Sequence, residues 1–412
     1  MHTKRAATRS VTESSATFCA PSILLTLVLS HACSGAMAIG GTERVSCFLI
    51  GETHPSLNPL TGYFAEDPLF RYSLERIPSG LTDPQRQRLD RLYYPRTRKM
   101  LLESYDILFF SDARIQHFTS TQFHDLDYAF REAGMPSFWS FGPAYGMAIE
   151  NNILSEALPI SSYDGYYHRP WRVVFRREKD PVFLPFISLG MENVPGEAYA
   201  RMKPREGAIV WADMDPLDLP WMVSWRPGEN GGLTWVNADE LNLYWWGLEA
   251  SVRGCNPYAI DMVTNLVLYS LGRPLVTDIL ARRDARQRIS AFMAQKSTVL
   301  SMLEWADLFG ANTLPLSGSL VQLDSIVETA TGEYLGQEYA ASISRMEQVA
   351  EGLAEVSTRA VRLKDEALFW VYASEWSAVT STGIITSVVL WSLMVRRRMY
   401  RAVGVTRPRP TE

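Results

Sequence analysis

Apolar and polar positions change their rhythm twice along this chain. From about Thr42 to Asp278, short apolar runs alternate with helix-period stretches. Arg44–Ile50 is an apolar run ending at Gly51, which predicts a buried strand. Asp83–Glu103 has helical character, interrupted by Pro95. Tyr105–Phe110 predicts a second strand, with Ser111 and Asp112 at its C-terminal edge. Thr119 and Gln122 have capping-box spacing, and Phe123, Leu126 and Phe130 then recur on one helical face. Gly134 and Pro136 stop that helix. Ser137–Phe141 predicts the next strand, followed by the turn Gly142-Pro143-Ala144-Tyr145-Gly146 and a helix through Leu154. Trp171–Phe175, Ala208–Asp213 and Trp221–Trp225 read as further strands, and Pro257–Leu271 as an apolar helix. A strand–helix–strand order implies right-handed crossovers and a parallel sheet. The predicted fold class is therefore α/β, a flavodoxin-like doubly wound sheet that takes ligands at the strand C-terminal ends.

Beyond Asp278 the helical period dominates. Asp278–Phe309 predicts one helix, Gly310–Ser319 a turn, and a second helix from about Leu320 runs toward the C-terminus. Its seam of Tyr339, Ile343, Met346, Ala350, Leu353, Ala360, Leu363 and Ala367 has three–four spacing. Residues 279–375 then form a helical hairpin stalk, or a homodimeric coiled coil that uses the same seam. Gly332, Gly336 and Gly352 weaken the second helix and favour a kink. From Ser377 to Val395 no charged residue occurs, and Arg396, Arg397 and Arg398 follow at once. That length crosses a hydrocarbon core as one helix, placed at residues 376–395 with Trp376 and Trp391 near its ends. The arginines predict a cytoplasmic tail over residues 396–412.

The N-terminus fits the same orientation. Lys4, Arg5 and Arg9 precede the apolar stretch Phe18–Val28, and Ala36-Met37-Ala38 supplies small residues for cleavage. Residues 1–38 are thus expected to be a signal peptide, the alternatives being an uncleaved anchor and, with a poor match, a lipidated Cys33. The expected location is the cell membrane, as a single-pass protein with its N-terminal domain outside.

Composition removes several function classes. The net charge of −5 is spread without a block, so there is no nucleic-acid footprint. No Walker loop, zinc spacing or Gly-x-Gly-x-x-Gly fingerprint occurs, and no cofactor or metal is expected. Cys47 and Cys255 would remain in the mature chain, either as a disulfide or as two buried thiols. Asp213 and Asp215, in Asp213-Met214-Asp215-Pro216, fit a cation or acid–base pair, or the start of a turn. Asp112, His117 and His124 lie close in sequence around one strand edge. Two aromatic clusters, Tyr163/Tyr166/Tyr167/Trp171 and Trp221/Trp225/Trp235/Tyr244/Trp245/Trp246, fit either ring-stacking surfaces or a core. Of the adjacent pair Trp245-Trp246, at least one ring is expected at the periphery.

The run Glu103–Met147, "ESYDILFFSDARIQHFTSTQFHDLDYAFREAGMPSFWSFGPAYGM", resembles the core of class I glutamine amidotransferase-like domains, including the ThuA-like branch. "DLPWMVSWRPGENGGLTWV" followed by "NPYAIDMVTNLVLYSLGRP" is similar to the closing strands and last helix of membrane-associated members. The resemblance covers residues 42–278. It implies a strand delivering an Asp-edged loop, then a helix, then a central strand and a sharp turn. Catalytic members carry a cysteine in a Gly-x-Cys-x-Gly elbow whose thiolate attacks the amide. Here the elbow reads Gly142-Pro143-Ala144-Tyr145-Gly146, and no histidine lies beyond His168.

The resulting expectation is a membrane-anchored extracytoplasmic binding or scaffold protein with a non-catalytic amidotransferase-like domain and no catalytic residues. Its partner would be a protein or a small ligand, with Asp112, Tyr145, Asp213, Asp215 and Trp245 as candidate binding residues. The alternative is a carboxylate-dependent hydrolase acting on a carbohydrate-like substrate.

Overall fold

The computed structural model describes residues 43–51, 53, 58–75, 81–113, 115, 118–140, 153–177, 179–239, 241, 245–247 and 256–405. The expected signal peptide, His117, the elbow with Tyr145, Tyr244, Cys255 and the end of the tail lie outside these described residues.

Among the described residues, nine strands form one sheet in the order β2-β1-β3-β4-β9-β8-β7-β5-β6. The first five in that order, β2 (Phe70–Leu74), β1 (Val45–Gly51), β3 (Ile107–Ser111), β4 (Ser137–Ser140) and β9 (Thr234–Asn237), are mutually parallel. Every residue of β3, β4 and β9 is buried. This is why they read as unbroken apolar runs: a parallel strand covered on both faces has no polar side to alternate with. The connecting helices are α1 (Leu60–Glu66), α2 (Asp83–Tyr93), α3 (Arg98–Ser104) and α4 (Ser120–Arg131). Helix α4 starts on the predicted capping box: Thr119 N–H donates to Gln122 Oε1 at 2.7 Å, and Gln122 N–H donates to Thr119 Oγ1 at 3.3 Å.

The rest of the sheet departs from a doubly wound parallel pattern. Strands β5 (Ile160–Phe175), β6 (Pro195–Pro204), β7 (Ile209–Asp215) and β8 (Leu219–Trp225) are joined to one another and to β9 by antiparallel pairing. A short connection dictates this for β7 and β8, since only three residues separate them, far fewer than a parallel crossover needs. A single helical turn, α5 (Leu184–Ile187), lies between β5 and β6.

Glycine is required where two backbones touch. A Cβ on Gly51, which has φ +104°, would sit 2.2 Å from the Ser111 carbonyl oxygen, and one on Gly232 would sit 2.0 Å from that of Met135. These contacts let β1 and β9 run flush beside β3 and β4.

Helix α6 (Ala259–Ser270) is buried through its first ten residues and closes the sheet region. Three helices follow, where two were expected. They are α7 (Ile279–Leu308), α8 (Leu314–Leu335) and α9 (Tyr339–Val405). The predicted turn at Gly310–Ser319 is shorter, because Leu314 and Pro315 already start α8. The single long helix expected from Leu320 is broken at Gly336-Gln337-Glu338, where Gly336 caps α8 and Gln337 takes φ +63°. The seam therefore packs inside a three-helix bundle. Met346, Leu353 and Ala360 are buried there as predicted, whereas Ala350 is exposed and Val349 takes its place. Helix α9 has 67 residues, about 100 Å at ~1.5 Å per residue. Its first half is bundle; its second half holds a fully exposed apolar segment, long and apolar enough to cross a membrane.

Candidate functional site

Two polar constellations stand out in this fold: the carboxyl edge of the parallel strands and a buried ionic joint beneath the helical bundle.

At the carboxyl edge, four of the five parallel strands end in buried polar groups: Glu75 after β2, Ser111 on β3, Ser140 on β4, and Asn237 and Asp239 at and after β9. Glu75 Oε2 accepts the Gly51 N–H at 2.9 Å, and the Glu75 carbonyl accepts Thr53 Oγ1 at 2.9 Å. Ser140 Oγ donates to the Asp239 carbonyl at 2.8 Å and accepts the Leu241 N–H at 3.0 Å. Asn237 Nδ2 donates to the same carbonyl at 2.9 Å, and Trp246 Nε1 donates to Asp239 Oδ2 at 3.2 Å. The Tyr63 hydroxyl donates to the Trp246 carbonyl. Asn237 Oδ1 is buried without a hydrogen-bond partner among the described residues. Asp112 follows β3 at φ +47°, with its N–H on the Ser140 carbonyl at 3.0 Å. Open α/β sheets bind ligands outside this edge.

The structure does not gather the sequence-predicted carboxylates. Asp112 follows β3, whereas Asp213 and Asp215 lie on β7, with β4, β9 and β8 between. Four strand spacings of ~4.8 Å put them about 19 Å apart. Two-carboxylate glycosidases need roughly 5–9.5 Å. Asp213 is instead paired with Arg176, and Asp215 leads directly into the β7–β8 turn, closed by Leu217 N–H on the Met214 carbonyl at 2.9 Å. His124 lies on α4. Among the described residues, no three histidines, cysteines or acids are grouped to hold a metal ion.

Trp245 and Trp246 are both fully buried, so neither ring is peripheral. They join Trp221 and Trp171 in one aromatic core, with Trp221–Trp245 and Trp245–Trp246 centroids both at 4.7 Å and Trp171–Trp221 at 6.1 Å. The driving force is area: each ring removes so much apolar surface from water that a core of them outweighs any exposed stacking role. Cys47 is a free, buried thiol in the middle of β1, and burial pushes its pKa well above the ordinary range. A thiol held neutral in this way is a poor nucleophile.

The ionic joint was not foreseen from the sequence. Asp67, between α1 and β2, and Asp261 on α6 face Arg282 and Arg286 on α7, and all four are buried. Arg282 pairs with both aspartates. Arg286 grips Asp261 with two N–H···O contacts at 2.6 and 3.2 Å. Asp67 Oδ1 also accepts the Tyr334 hydroxyl of α8 at 3.0 Å and the Leu69 N–H at 3.0 Å. Arg282 donates further to Thr264 Oγ1 at 3.1 Å. Two positive and two negative charges cancel, which is what allows them to stay ionised away from water. The joint ties the sheet region, α6, α7 and α8 together.

Burial alone would raise the Asp67 carboxyl, but Arg282 and then Arg286 outweigh it and hold its pKa below the ordinary value. A carboxyl lowered in the folded state contributes stability that is complete above its unfolded pKa of about 3.9 and is lost as pH falls through the folded value. Denaturant titrations of the full chain should therefore show a stability decline beginning below about pH 5. That part of the slope should be missing in Asp67→Asn. An unchanged slope in that variant would show that Asp67 is not a carboxylate held by the arginines.

No protein-family model matches the chain, and no curated protein matches it.

Proposed function

We propose that this protein is a membrane-anchored binding or scaffold protein whose α/β domain is glutamine amidotransferase-like and non-catalytic. One observation carries the reading. Helix α9 runs without a break from a bundle, locked to the sheet by the ionic joint, into an exposed apolar segment that ends at Arg396–Arg398. The domain is thereby held at a fixed distance from the membrane, with the strand carboxyl edge as its binding face. By rank along the chain, the parallel strands stand in the order 2-1-3-4-5, which supports the flavodoxin-like description. The non-catalytic part of the reading rests on the Ala144-Tyr145 elbow, on the neutral buried thiol of Cys47 and on the separation of Asp112 from Asp213 and Asp215. The orientation rests on the arginine cluster: domain outside, tail in the cytoplasm.

The test is ammonia release from glutamine by the purified full chain in detergent. The expected result is release no faster than from buffer alone. Release that disappears in Cys255→Ser would overturn the reading, because it would place a working thiol in a site argued to have none.

A further inference from the structure

The end of the bundle that points along α9 toward the apolar segment is itself apolar. At the α7–α8 connection, Leu308 is 81% exposed, Phe309 47% and Leu314 79%. The Trp305 ring packs beside Phe309, with centroids 4.5 Å apart. An exposed apolar tip of this kind on a protein surface marks an interaction site.

Its height along α9 follows from contacts inside the bundle. Arg288 of α7 meets Glu347 of α9 at 3.3 Å. These two helices run in the same direction, since each is antiparallel to α8: Lys296 meets Asp324 at 2.6 Å, and a Cβ on Gly352 would touch Leu323. Counting forward equally from Arg288 and Glu347 brings Leu308 level with Ala367. The burial pattern agrees, because Ala306, Leu316 and Ala367 are the outermost buried positions of the three helices.

Ala367 is also where α9 loses its charges. Residues 367–395 contain only one, Glu375. Ala367 stands nine residues, about 13 Å at ~1.5 Å per residue, before Trp376, where the apolar span begins, and the outer headgroup layer fills roughly half of that height. Phe369, Trp370, Tyr372 and Trp376 are all more than half exposed; Phe369, Tyr372 and Trp376 share one face of the helix, and Trp370 lies about 100° round from Phe369. Aromatic rings gathered at the outer end of an apolar span form the kind of collar that a membrane interface favours. The tip therefore lies within several ångströms of the outer headgroups, a gap that the side chains of the α7–α8 connection are placed to close.

We propose that Leu308, Phe309 and Leu314 form a second membrane contact, which dips into the outer lipid headgroup layer beside the collar and stands the bundle on the bilayer. The inference rests on the single-span reading above. The charges at this level, Glu304, Asp307, Arg362, Lys364, Asp365 and Glu366, leave a net negative surface, so the surface it fits is zwitterionic lipid rather than anionic lipid.

The test places a photoreactive phenylalanine analogue (p-benzoylphenylalanine) at single positions of the full chain in phosphatidylcholine vesicles. Lipid adducts are counted by mass spectrometry. The positions are Leu308 and Leu314 at the tip, Val321 as an exposed bundle site about two turns above Leu314, and Val388 in the apolar segment. Lipid adducts at Leu308 and Leu314 should exceed those at Val321 by about five-fold or more, as interfacial side chains should. Tip adducts no higher than at Val321, with strong adducts at Val388, would overturn the inference and leave the anchor standing. Weak adducts at Val388 would remove the anchor reading and this contact with it. Crosslinks from Leu308 to a second copy of the chain would also overturn it, by assigning the tip to self-association.

Discussion

Replacing Arg282 with methionine is expected to destabilise the protein by about 3–5 kcal/mol, the usual loss when one partner of a buried ion pair is removed. The mechanism is asymmetric. Methionine fills most of the space left by the arginine stem, so the cavity is small. What remains is Asp67, buried, with only Tyr334, Thr264 and the Leu69 N–H as partners. Asp261 still has Arg286. The penalty thus falls mainly on Asp67, and a second change should relieve it. The double variant Arg282→Met/Asp67→Leu should recover most of the lost stability, leaving the Arg286–Asp261 pair neutral and intact. Denaturant unfolding of the full chain in detergent measures both. A single variant within 1 kcal/mol of the parent would mean that the joint is already hydrated, which its burial argues against. The structural consequence should be visible too. Protease should cut near Asp67, between α1 and β2, in the single variant, because the residue that ties this connection to α7 is the one removed.

The joint also marks how far the sequence can be read. Strands β1, β3 and β4 and helix α4 were legible because each obeys a local rule: an unbroken apolar run, or a reciprocal cap with a stripe. Strands β2 and β6 were not. They lie at the two edges of the sheet, where one side faces water, and the middle of β2 (Arg71, Tyr72, Ser73) is exposed. Edge strands carry polar residues that weaken the strand signal. The antiparallel half was hidden for a different reason, since a strand's own residues do not say in which direction its neighbour runs. The α8–α9 break at Gly336 was visible only as a weakness in a helical run.

For the joint, distance in sequence was the obstacle: 215 residues separate Arg282 from Asp67. Two local signals existed. Arg282 and Arg286 fall at three–four spacing on the same stripe as Ile279 and Ile289, where a solvated charge should not be. Asp261 is the one charged residue in a helix that is buried through its first ten residues. A charge on a buried stripe predicts an opposite charge elsewhere in the fold, and here two such anomalies, on α6 and α7, answer each other. The carboxyl edge was legible in part, since Asp112 was placed there by the strand it ends. Glu75, Ser140, Asn237 and Asp239 carried no local mark, because a single polar residue after a short strand is what any loop contains.

Ile385→Arg should release the chain from the membrane. Ile385 lies near the middle of residues 377–395, is 64% exposed and has no neighbour in the fold to shield it. If that segment spans the bilayer, the arginine sits near the hydrocarbon midplane, at a cost of about 2.5–3.5 kcal/mol and roughly a hundred-fold in insertion. Snorkelling gives little relief there, because the headgroups are some ten residues away in either direction. The measurement is the fraction of chain that resists alkaline carbonate extraction, which should fall sharply. Val321→Arg serves as the matched control. Val321 is equally exposed, at 67%, but lies in the bundle, so extraction should match the parent. The contrast separates two explanations of an apolar helix. If residues 377–395 were instead covered by other copies of the chain in water, Ile385→Arg would break that association without changing extraction, and Arg396–Arg398 would have no headgroups to meet. Equal extraction of Ile385→Arg and Val321→Arg would therefore remove the membrane anchor, and with it the reason for α9 to extend so far beyond the last buried residue of its bundle.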